Sequence, residues 1–289
     1  MLTPAQISHF ETFGFIVTRQ AFSPDEVADI IADFTDVLEE DRQGQPFSGE
    51  QRHAVLAFVE KRPLLRKLVE DDRIHGPIEQ LLGPDFIWRG SDGNLYVGDT
   101  AWHPDAVGIE LNYTRIKVAM YLDPVTADTG CLRVVPGSHR HPLHKDLEPM
   151  RYWRVKQTIA EGRGSEKDLE QFRDLVGDDD EPVFSVQPSD LPGFPLESEP
   201  GDVVFFNQHI YHGSFGGHTG RRMFTMNFAE APKTDEHIEL LKREYAGSSV
   251  ARDALQYTKS DRTYEPEFLY SDSPRIQSMV AKLIELGFE

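Results

Sequence analysis

The chain has 289 residues, of which 39% are hydrophobic, and its 18 phenylalanines are enough for a substantial core. Charged residues make up 27%, which is typical of a soluble globular protein and not of a fibrous or disordered one. The formal net charge of −19 argues against nucleic acid and anionic membranes as partners, because both are bound through basic surfaces. No apolar run is long enough to span a bilayer.

Cys131 is the only cysteine, which excludes an internal disulfide framework and fits a reducing compartment. We interpret it as a small buried hydrophobic residue of a strand and not as a reactive thiol. The chain shows no basic segment followed by an apolar one at its start, so no leader peptide is predicted. We therefore expect a cytoplasmic protein that acts on a small molecule and has no nucleic acid or membrane partner. The sequence gives no evidence for a protein partner.

The first 85 residues are predicted to be mainly helical, with one short strand at residues 14–17. Ser23-Pro24-Asp25-Glu26 predicts a helix start, because it combines a serine N-cap, a proline at N1, early acids and a glutamate that completes a capping box. A buried face follows at helical spacing: Val27, Ile30, Ile31, Phe34 and Leu38. Further helices are expected over residues 54–60, 64–70 and 75–82.

From residue 86 to residue 230 the pattern changes to short strands separated by glycine and proline turns. Apolar and polar residues alternate over 115–122, and further strands are predicted at 131–135, 203–206 and 223–228. Many short strands of this kind favour a sandwich or barrel, with a jelly roll as the natural candidate. The predicted fold class is therefore mainly β with flanking helices around a cupin-like jelly-roll core.

Between residues 141 and 182 the strand signal stops, and a segment of this length is usually a lid or binding loop, or else disordered. Residues 231–289 return to helix, roughly over 235–245 and 274–286. We expect one domain over residues 1–289. It would consist of a helical N-terminal part (1–85), a jelly-roll core (86–230) with a lid-like insert (141–182), and C-terminal helices (231–289).

The strongest chemical signal is Trp102-His103-Pro104-Asp105. On a β-strand, side chains two residues apart share a face, so His103 and Asp105 would point together. Two histidines and one carboxylate form the facial triad that holds Fe(II) and leaves coordination positions open. A His-x-Asp triplet also arises often by chance, so this pattern needs a third ligand from elsewhere.

His212 is the best candidate for that third ligand, because it ends a predicted strand, is followed by Gly-Ser and precedes two arginines. The other histidines are weaker candidates. His209 would face the opposite way, His139 follows a turn, and the remaining ones lie in presumed loops: His141, His144 and His218.

The two arginines that follow, Arg221 and Arg222, face opposite sides of their strand. Arg221 shares its face with the polar residues Thr225 and Asn227, so we choose it to grip a dicarboxylate inside the barrel, with Arg222 as the alternative. An arginine fork pairs bidentately with a carboxylate, and Ser214 could add a hydroxyl donor. The alternative interpretation, without a role in binding, is a pair of surface arginines.

Further residues are candidates for the cavity wall. Asn94 and Tyr96 precede the metal motif on a strand, and we assign Asn94 to the cosubstrate and Tyr96 to the substrate. Arg151, Trp153 and Arg154 belong to a basic and aromatic stretch in an otherwise acidic chain. This stretch either recognises an anionic or polar small molecule or forms a solvated face with one aromatic side chain packed inward.

Four motifs occur in an order that resembles the phytanoyl-CoA dioxygenase family over roughly residues 86–230. They are Trp102-His103-Pro104-Asp105, the stretch from Thr129 to His139, the stretch from Pro200 to Phe206, and His212-Gly213-Ser214 with Arg221. The resemblance implies a double-stranded β-helix core, Fe(II), 2-oxoglutarate and O₂. It makes His103, Asp105 and His212 iron ligands, Arg221 and Ser214 contacts of 2-oxoglutarate, and His139 a structural residue.

The resemblance predicts a dioxygenase that oxidises a C–H bond of a small molecule, with succinate and CO₂ as co-products. Halogenating relatives replace the carboxylate of the triad with a small residue, so the intact Asp105 favours a hydroxylase. Two alternatives remain: a zinc hydrolase that uses the same two histidines and aspartate, and a non-catalytic jelly-roll binding module.

Overall fold

The computed structural model describes residues 1–106, 111–160, 162, 164–175, 191–258 and 262–288, without the side chains of residues 175 and 248–254. The helices are α1 Pro4–Phe13, α2 Pro24–Asp41, α3 Pro63–Leu68, α4 His75–Leu82, α5 Leu143–Asp146, α6 Arg151–Ala160, α7 Asp235–Leu255, α8 Pro266–Leu269 and α9 Pro274–Glu285. Short 3₁₀ helices cover Phe58–Lys61, Glu148–Met150 and Glu166–Leu175.

The strands are β1 Phe15–Thr18, β2 His53–Leu56, β3 Ile87–Tyr96, β4 Thr100–His103, β5 Arg115–Tyr121, β6 Leu132–Val134, β7 Phe194–Leu196, β8 Val203–Asn207, β9 His212–Ser214 and β10 Arg221–Ala229. They form a six-stranded sheet in the order β1-β8-β5-β10-β3-β2 and a four-stranded sheet in the order β4-β9-β6-β7. Strands that neighbour each other in these sheets pair antiparallel. The predicted jelly-roll core with flanking helices is confirmed.

The six-stranded sheet separates two different environments, because its side chains alternate between the two faces. Phe224, Met226 and Phe228 of β10 point to the back of the sheet, where they join a large apolar cluster with the helices. Met223, the neighbour of Phe224, points to the front and packs between the two sheets. The front face therefore lines the space in which a site can form, while the back face supplies the main core.

Helices α1 and α2 both begin after a capping residue, and the sequence signal at Ser23 predicts the start of α2. Thr3 and Ser23 each accept a hydrogen bond from the N3 backbone amide, and their own backbone amides donate to the side-chain oxygens of Gln6 and Glu26, so both helices carry full capping boxes. The helix expected over residues 54–60 is wrong. Residues His53–Leu56 instead form an edge strand paired with β3, because pairing with an existing sheet outweighs weak local helix propensity.

The segment expected to be a lid is helical in the part that the structure describes. It contains α5, α6 and two of the 3₁₀ helices, whereas residues 161, 163 and 176–190 lie outside the described residues. Cys131 is fully buried, as expected of a small core residue, and burial raises the pKa of its thiol to about 11. Among the described helices, none is long and apolar enough to cross a membrane.

Candidate active site

The three predicted metal ligands meet at one point between the two sheets. His103 is the last residue of β4 and pairs in register with His212, the first residue of β9. Candidate ligand atoms of these two residues and of Asp105 lie within 4.8 Å of one another. His103 Nε2 lies 3.7 Å from Oδ1 of Asp105, and His212 Nε2 lies 3.6 Å from Oδ2 of the same carboxylate.

Asp105 reaches this point by a turn and not by strand geometry, which corrects the premise that it shares a strand face with His103. The strand ends at His103. The backbone amides of Asp105 and Ala106 then donate to the carbonyl of Gln208, at 2.9 Å and 3.1 Å. This pair of hydrogen bonds holds the turn against the chain that leads into His212.

Each imidazole is oriented by the backbone carbonyl of the residue two positions before it. His103 Nδ1 donates to the carbonyl of Ala101 at 2.8 Å, and His212 Nδ1 donates to the carbonyl of Ile210 at 3.0 Å. Because a carbonyl only accepts, the proton lies on Nδ1, which leaves the lone pair of each ring on Nε2. Hydrogen bonds of this kind fix the tautomer and ring orientation of histidines that bind metals.

The charges around the cluster favour the protonation states that a metal ion needs. Burial lowers the pKa of both His103 and His212, so the imidazoles are neutral. Burial alone would raise the pKa of Asp105, but Lys117, whose Nζ lies 2.8 Å from Oδ2, outweighs burial and holds that pKa well below its ordinary range. Two neutral imidazoles and one carboxylate fit Fe(II), and the three leave further coordination positions open.

Arg221 lies deep in the same space, where it is 1% exposed. Its Nη2 donates to Ser214 Oγ at 3.1 Å, and Ser214 Oγ donates to the carbonyl of Gly130 at 2.9 Å. Its Nε and Nη1 have no hydrogen-bond partner among the described residues. A buried guanidinium with unused donors is costly unless it receives an anion, so this group is a candidate binding site for a carboxylate.

Glycines make the room for this guanidinium. A Cβ atom at Gly217 would lie 1.5 Å from Arg221 Nη1, and one at Gly130 would lie 2.2 Å from it. Both distances are far below van der Waals contact, so any larger side chain at these positions would displace the guanidinium. The position of the Arg221 guanidinium therefore depends on glycine at both places.

Arg222 points away from this space. Its Nη2 lies 2.5 Å from Asp123 Oδ1, and its side chain is 32% exposed. Its backbone amide donates to the other oxygen of Asp123 at 2.7 Å. Of the two arginines, it is therefore Arg221 that lies in the same space as the three candidate metal ligands.

An inner cavity of about 230 Å³ connects the cluster of His103, Asp105 and His212 to Arg221. The side chains that line it, apart from the predicted ligands, include Arg52, Asp92, Tyr96, Lys117, Tyr121, Arg154, Ser214 and Thr225. An adjoining outer chamber of about 320 Å³ shares four of its residues with the inner cavity: Arg52, Tyr96, Thr100 and Arg154. Of the residues predicted to meet the substrate, Tyr96 and Arg154 thus line both spaces.

The other predicted contacts lie outside these two spaces. Asn94 is fully buried, and its Oδ1 accepts a hydrogen bond from Arg52 Nε at 2.9 Å, so it supports the wall; its contact with the cosubstrate stays a prediction. Arg151 pairs with Glu148 at 3.3 Å. Trp153 packs edge-on against Tyr152, at 5.5 Å between ring centroids.

Sequence reasoning missed Lys117 and the pair of Arg52 and Asp92. A signal for Lys117 existed, because it shares its strand face with Ala119 and Tyr121, which point inward. Burial opposes its charge, but Asp105 and Asp92 outweigh burial and raise its pKa, so the amine is protonated. Arg52 Nη2 lies 3.1 Å from Asp92 Oδ2, a contact between the residue before β2 and strand β3 that no local pattern could reveal.

A jelly-roll cavity that holds two histidines, one carboxylate and a buried arginine defines the class of Fe(II)- and 2-oxoglutarate-dependent oxygenases. The family model described as phytanoyl-CoA dioxygenase (PhyH) matches residues 10–224, and the chain belongs to this family. The predicted family, the dioxygenase class and the cofactors Fe(II), 2-oxoglutarate and O₂ are thereby confirmed.

Similar proteins agree with this assignment. The chain is 27% identical over 230 residues to ectoine dioxygenase of Bordetella bronchiseptica, covering 74% of this chain and 70% of the relative. Its fold is similar to that of HygX from Streptomyces hygroscopicus with nickel and 2-oxoglutarate bound (TM-score 0.56, 18% identity, 81% and 90% of the two chains). It is also similar to EctD from S. alaskensis with bound Fe (TM-score 0.56, 18% identity, 79% and 77%).

Proposed function

We propose that the protein hydroxylates a C–H bond of a small molecule, with Fe(II) held by His103, Asp105 and His212. In this proposal Arg221 and Ser214 bind the distal carboxylate of 2-oxoglutarate. The observation that carries it is the buried guanidinium of Arg221, which has two donor atoms without a described partner and lines the same cavity as the His-Asp-His cluster.

The spacing of the two sites suits a five-carbon dicarboxylate. His212 and Ser214 are two residues apart on β9, so their side chains share a face and their backbones are about 7 Å apart. A dicarboxylate that binds the metal through one end therefore meets Ser214 and Arg221 with the other. Iron, 2-oxoglutarate and O₂, when bound, would supply the oxidising chemistry, in which O₂ is the oxidant and 2-oxoglutarate is converted to succinate and CO₂.

The residues of this chain supply binding, orientation and charge. The two backbone carbonyls hold the imidazoles in one tautomer, and Lys117 keeps Asp105 ionised while no metal compensates its charge. Arg221 sets the direction of the cosubstrate. The wall residues then hold the substrate beside the metal and limit the access of water.

The rival function, a zinc hydrolase, needs only the metal ligands and a water. It leaves the glycine-lined arginine site without a role, because hydrolysis at zinc requires no dicarboxylate. A non-catalytic binding module leaves both the buried cluster and the arginine site unexplained.

An anaerobic thermal-shift experiment tests the proposal. We expect 2-oxoglutarate to raise the melting temperature when Mn(II) or Fe(II) is present and to have no effect without metal, because stabilisation follows ligand concentration relative to Kd. His212→Ala should abolish the effect. Arg221→Gln should remove the response to 2-oxoglutarate and leave the response to metal.

Arg222→Gln is the matched control, since it removes the same charge one residue away, on the other face of the strand. It should retain the full response to 2-oxoglutarate. A protein that binds Zn(II) but shows no metal-dependent response to 2-oxoglutarate would support the hydrolase instead.

Two further points belong to this proposal. We propose that the chain works as one domain, which is supported by an apolar cluster that runs from Leu2 to Phe288. We also propose a cytoplasmic location, supported by a single cysteine that is buried and unpaired.

A further inference from the structure

We propose that Lys117 is a positioning residue that reserves one oxygen of Asp105, so that this carboxylate gives a metal ion a single ligand atom. This inference rests on the proposed function and adds a residue to its site. It is carried by the contacts of the two carboxylate oxygens and by the backbone frame that holds Lys117 opposite Asp105.

Both oxygens of Asp105 face the candidate metal ligands. Oδ1 lies 3.7 Å from His103 Nε2, and Oδ2 lies 3.6 Å from His212 Nε2. A carboxylate in such a position is able to bind a metal ion through one oxygen or through both. On a six-coordinate ion, binding through both would leave two open positions in place of the three that the two histidines and one oxygen leave.

Two open positions are too few for the proposed reaction. A 2-oxo acid chelates a metal ion through its carboxylate and its keto oxygen, which fills two positions, and O₂ needs a further one. The site therefore needs a group that prevents one oxygen of Asp105 from binding the metal ion.

Lys117 is in place to do this. Its Nζ lies 2.8 Å from Asp105 Oδ2, and its positive charge both holds that oxygen and repels a metal ion from it. The second carboxylate of the cavity does not compete for the ammonium group, because Asp92 Oδ2 already accepts hydrogen bonds from Asn94 Nδ2 at 2.6 Å and Arg52 Nη2 at 3.1 Å. Oδ1 is then the oxygen of Asp105 that is left for the metal ion.

The two ends of this ion pair belong to one backbone frame. Lys117 lies within β5, where its partners in register are Phe206 of β8 and Asn227 of β10. Gln208 joins Asp105 to the same strands, because its carbonyl accepts from the Asp105 amide at 2.9 Å and its Nε2 donates to Asn227 Oδ1 at 2.8 Å. The backbone therefore fixes the ammonium group opposite Oδ2, and we expect it to stay there when a metal ion binds.

The number of water molecules on bound Mn(II) tests this role, because each open position of the ion holds one exchangeable water. Water-proton relaxation measures this number without O₂, before and after 2-oxoglutarate is added. In the unaltered protein we expect about three waters, and about one after 2-oxoglutarate binds. Lys117→Met removes the ammonium group from a side chain of similar length. It should hold about two waters and then none, so the first value falls by about a third.

The affinity for Mn(II) is a second readout, and its sign separates this role from a structural one. Lys117→Met should bind Mn(II) about tenfold more tightly, because the site loses a like charge and gains a ligand oxygen. Loss of a residue that only supports a metal ligand would weaken metal binding instead. Lys117→Arg keeps a cation beside Oδ2, so it should retain the water number and the Mn(II) affinity of the unaltered protein.

Lys61→Met is the matched control, because Lys61 forms a similar, partly buried ion pair outside the cavity. Its Nζ lies 2.5 Å from Glu265 Oε1, and these side chains are 24% and 29% exposed, compared with 18% and 21% for Lys117 and Asp105. This variant should keep the three waters. Lys117→Gln, which is too short to reach Oδ2, should lose one water as Lys117→Met does, so the test does not depend on the folding of one variant. The melting temperature without metal shows which variants are folded.

The other outcomes overturn the proposal. An unchanged water number in Lys117→Met and Lys117→Gln contradicts it, whatever happens to metal affinity, and so does the same loss of a water in Lys61→Met or in Lys117→Arg. Weaker binding of 2-oxoglutarate with all three waters retained would show that Lys117 acts on the cosubstrate and not through Asp105. If 2-oxoglutarate displaces no water from Mn(II) in the unaltered protein, it is the proposed function that fails.

Discussion

The front and back of the six-stranded sheet are built from the same strands, yet they place buried carboxylates in opposite states. At the front, Asp105 is surrounded by Lys117 and two imidazoles, and its pKa is lowered. At the back, Glu60 is fully buried and accepts hydrogen bonds from Trp88 Nε1 and the backbone amide of Glu265, each at 2.7 Å. Burial dominates there and raises the pKa of Glu60 to about 7.

The difference shows that the two faces of one sheet have different roles: the back face stabilises the fold, and the front face lines the cavity. Alternate residues of β10 supply the apolar core at the back and Arg221, Met223 and Thr225 at the front. The back is stabilised by packing, and a charge there lowers stability. The front keeps several buried charges, which is costly for folding but prepares the cavity for a metal ion and a dicarboxylate.

Truncation on the back face should give the largest effect on stability. Phe224 is fully buried and packs against Phe58, at 5.4 Å between ring centroids. Phe224→Ala should lower the free energy of unfolding by about 3–5 kcal/mol, measured by urea denaturation, through lost burial and a new cavity. Met223→Ala, one residue away but at the front, should instead change the affinity for 2-oxoglutarate. A Phe224→Ala protein with normal stability and weak cosubstrate binding would contradict the division.

Glu60 predicts a dependence of stability on pH that originates at the back. Its pKa is raised to about 7 in the folded protein, so the unfolded chain loses this proton first as pH rises. Stability should therefore fall by about 3 kcal/mol between about pH 4.5 and pH 8 through this group. Glu60→Gln should remove this part of the slope when unfolding is followed by urea titration at several pH values. Equal slopes in the two proteins would show that Glu60 does not titrate in this range.

Filling the glycine-lined space at the front should weaken cosubstrate binding without unfolding the protein. Gly217→Ala places a methyl group on the guanidinium of Arg221. We expect the half-saturating concentration of 2-oxoglutarate to rise about 100-fold, because both charge-assisted contacts are lost. Gly247→Ala is the control, since a Cβ there meets no atom within 4 Å. Unchanged binding in Gly217→Ala would place the dicarboxylate elsewhere.

Loosening α6 should give the smallest effect. Gln157→Leu removes the hydrogen bonds that attach this helix to the chain at Asp99 and Ala101. The melting temperature should fall by only a few degrees, which corresponds to about 1 kcal/mol, and hydrogen exchange in residues 151–160 should become faster. The response to 2-oxoglutarate should be unchanged. Gln45→Leu, at an exposed loop position away from α6, should leave exchange in α6 as it is.

The parts of the site that follow a backbone period can be predicted from the sequence. Alternation along β10 assigns Arg221 to the cavity, and the capping box at Ser23 marks a helix start. The three proposed metal ligands are identified by residue type and order, although Asp105 is positioned by a turn and not by a strand.

Long-range contacts cannot be predicted in this way. The strand at His53–Leu56 exists because β3 offers it a partner, and the sequence alone predicts a helix there. The ion pair of Arg52 with Asp92 and the attachment of α6 by Gln157 join residues about 40 and 56 positions apart. Such contacts depend on the completed sheet, which explains why the metal site is predictable while the substrate side is not.

The short strand β9 carries the proposed metal ligand His212 at one end and the proposed cosubstrate contact Ser214 at the other. Because these two groups are joined by a rigid extended backbone, their separation cannot adjust to the length of the molecule between them. The protein should therefore discriminate among 2-oxo diacids by chain length and accept 2-oxoglutarate in preference to the homologue with one more methylene group, 2-oxoadipate.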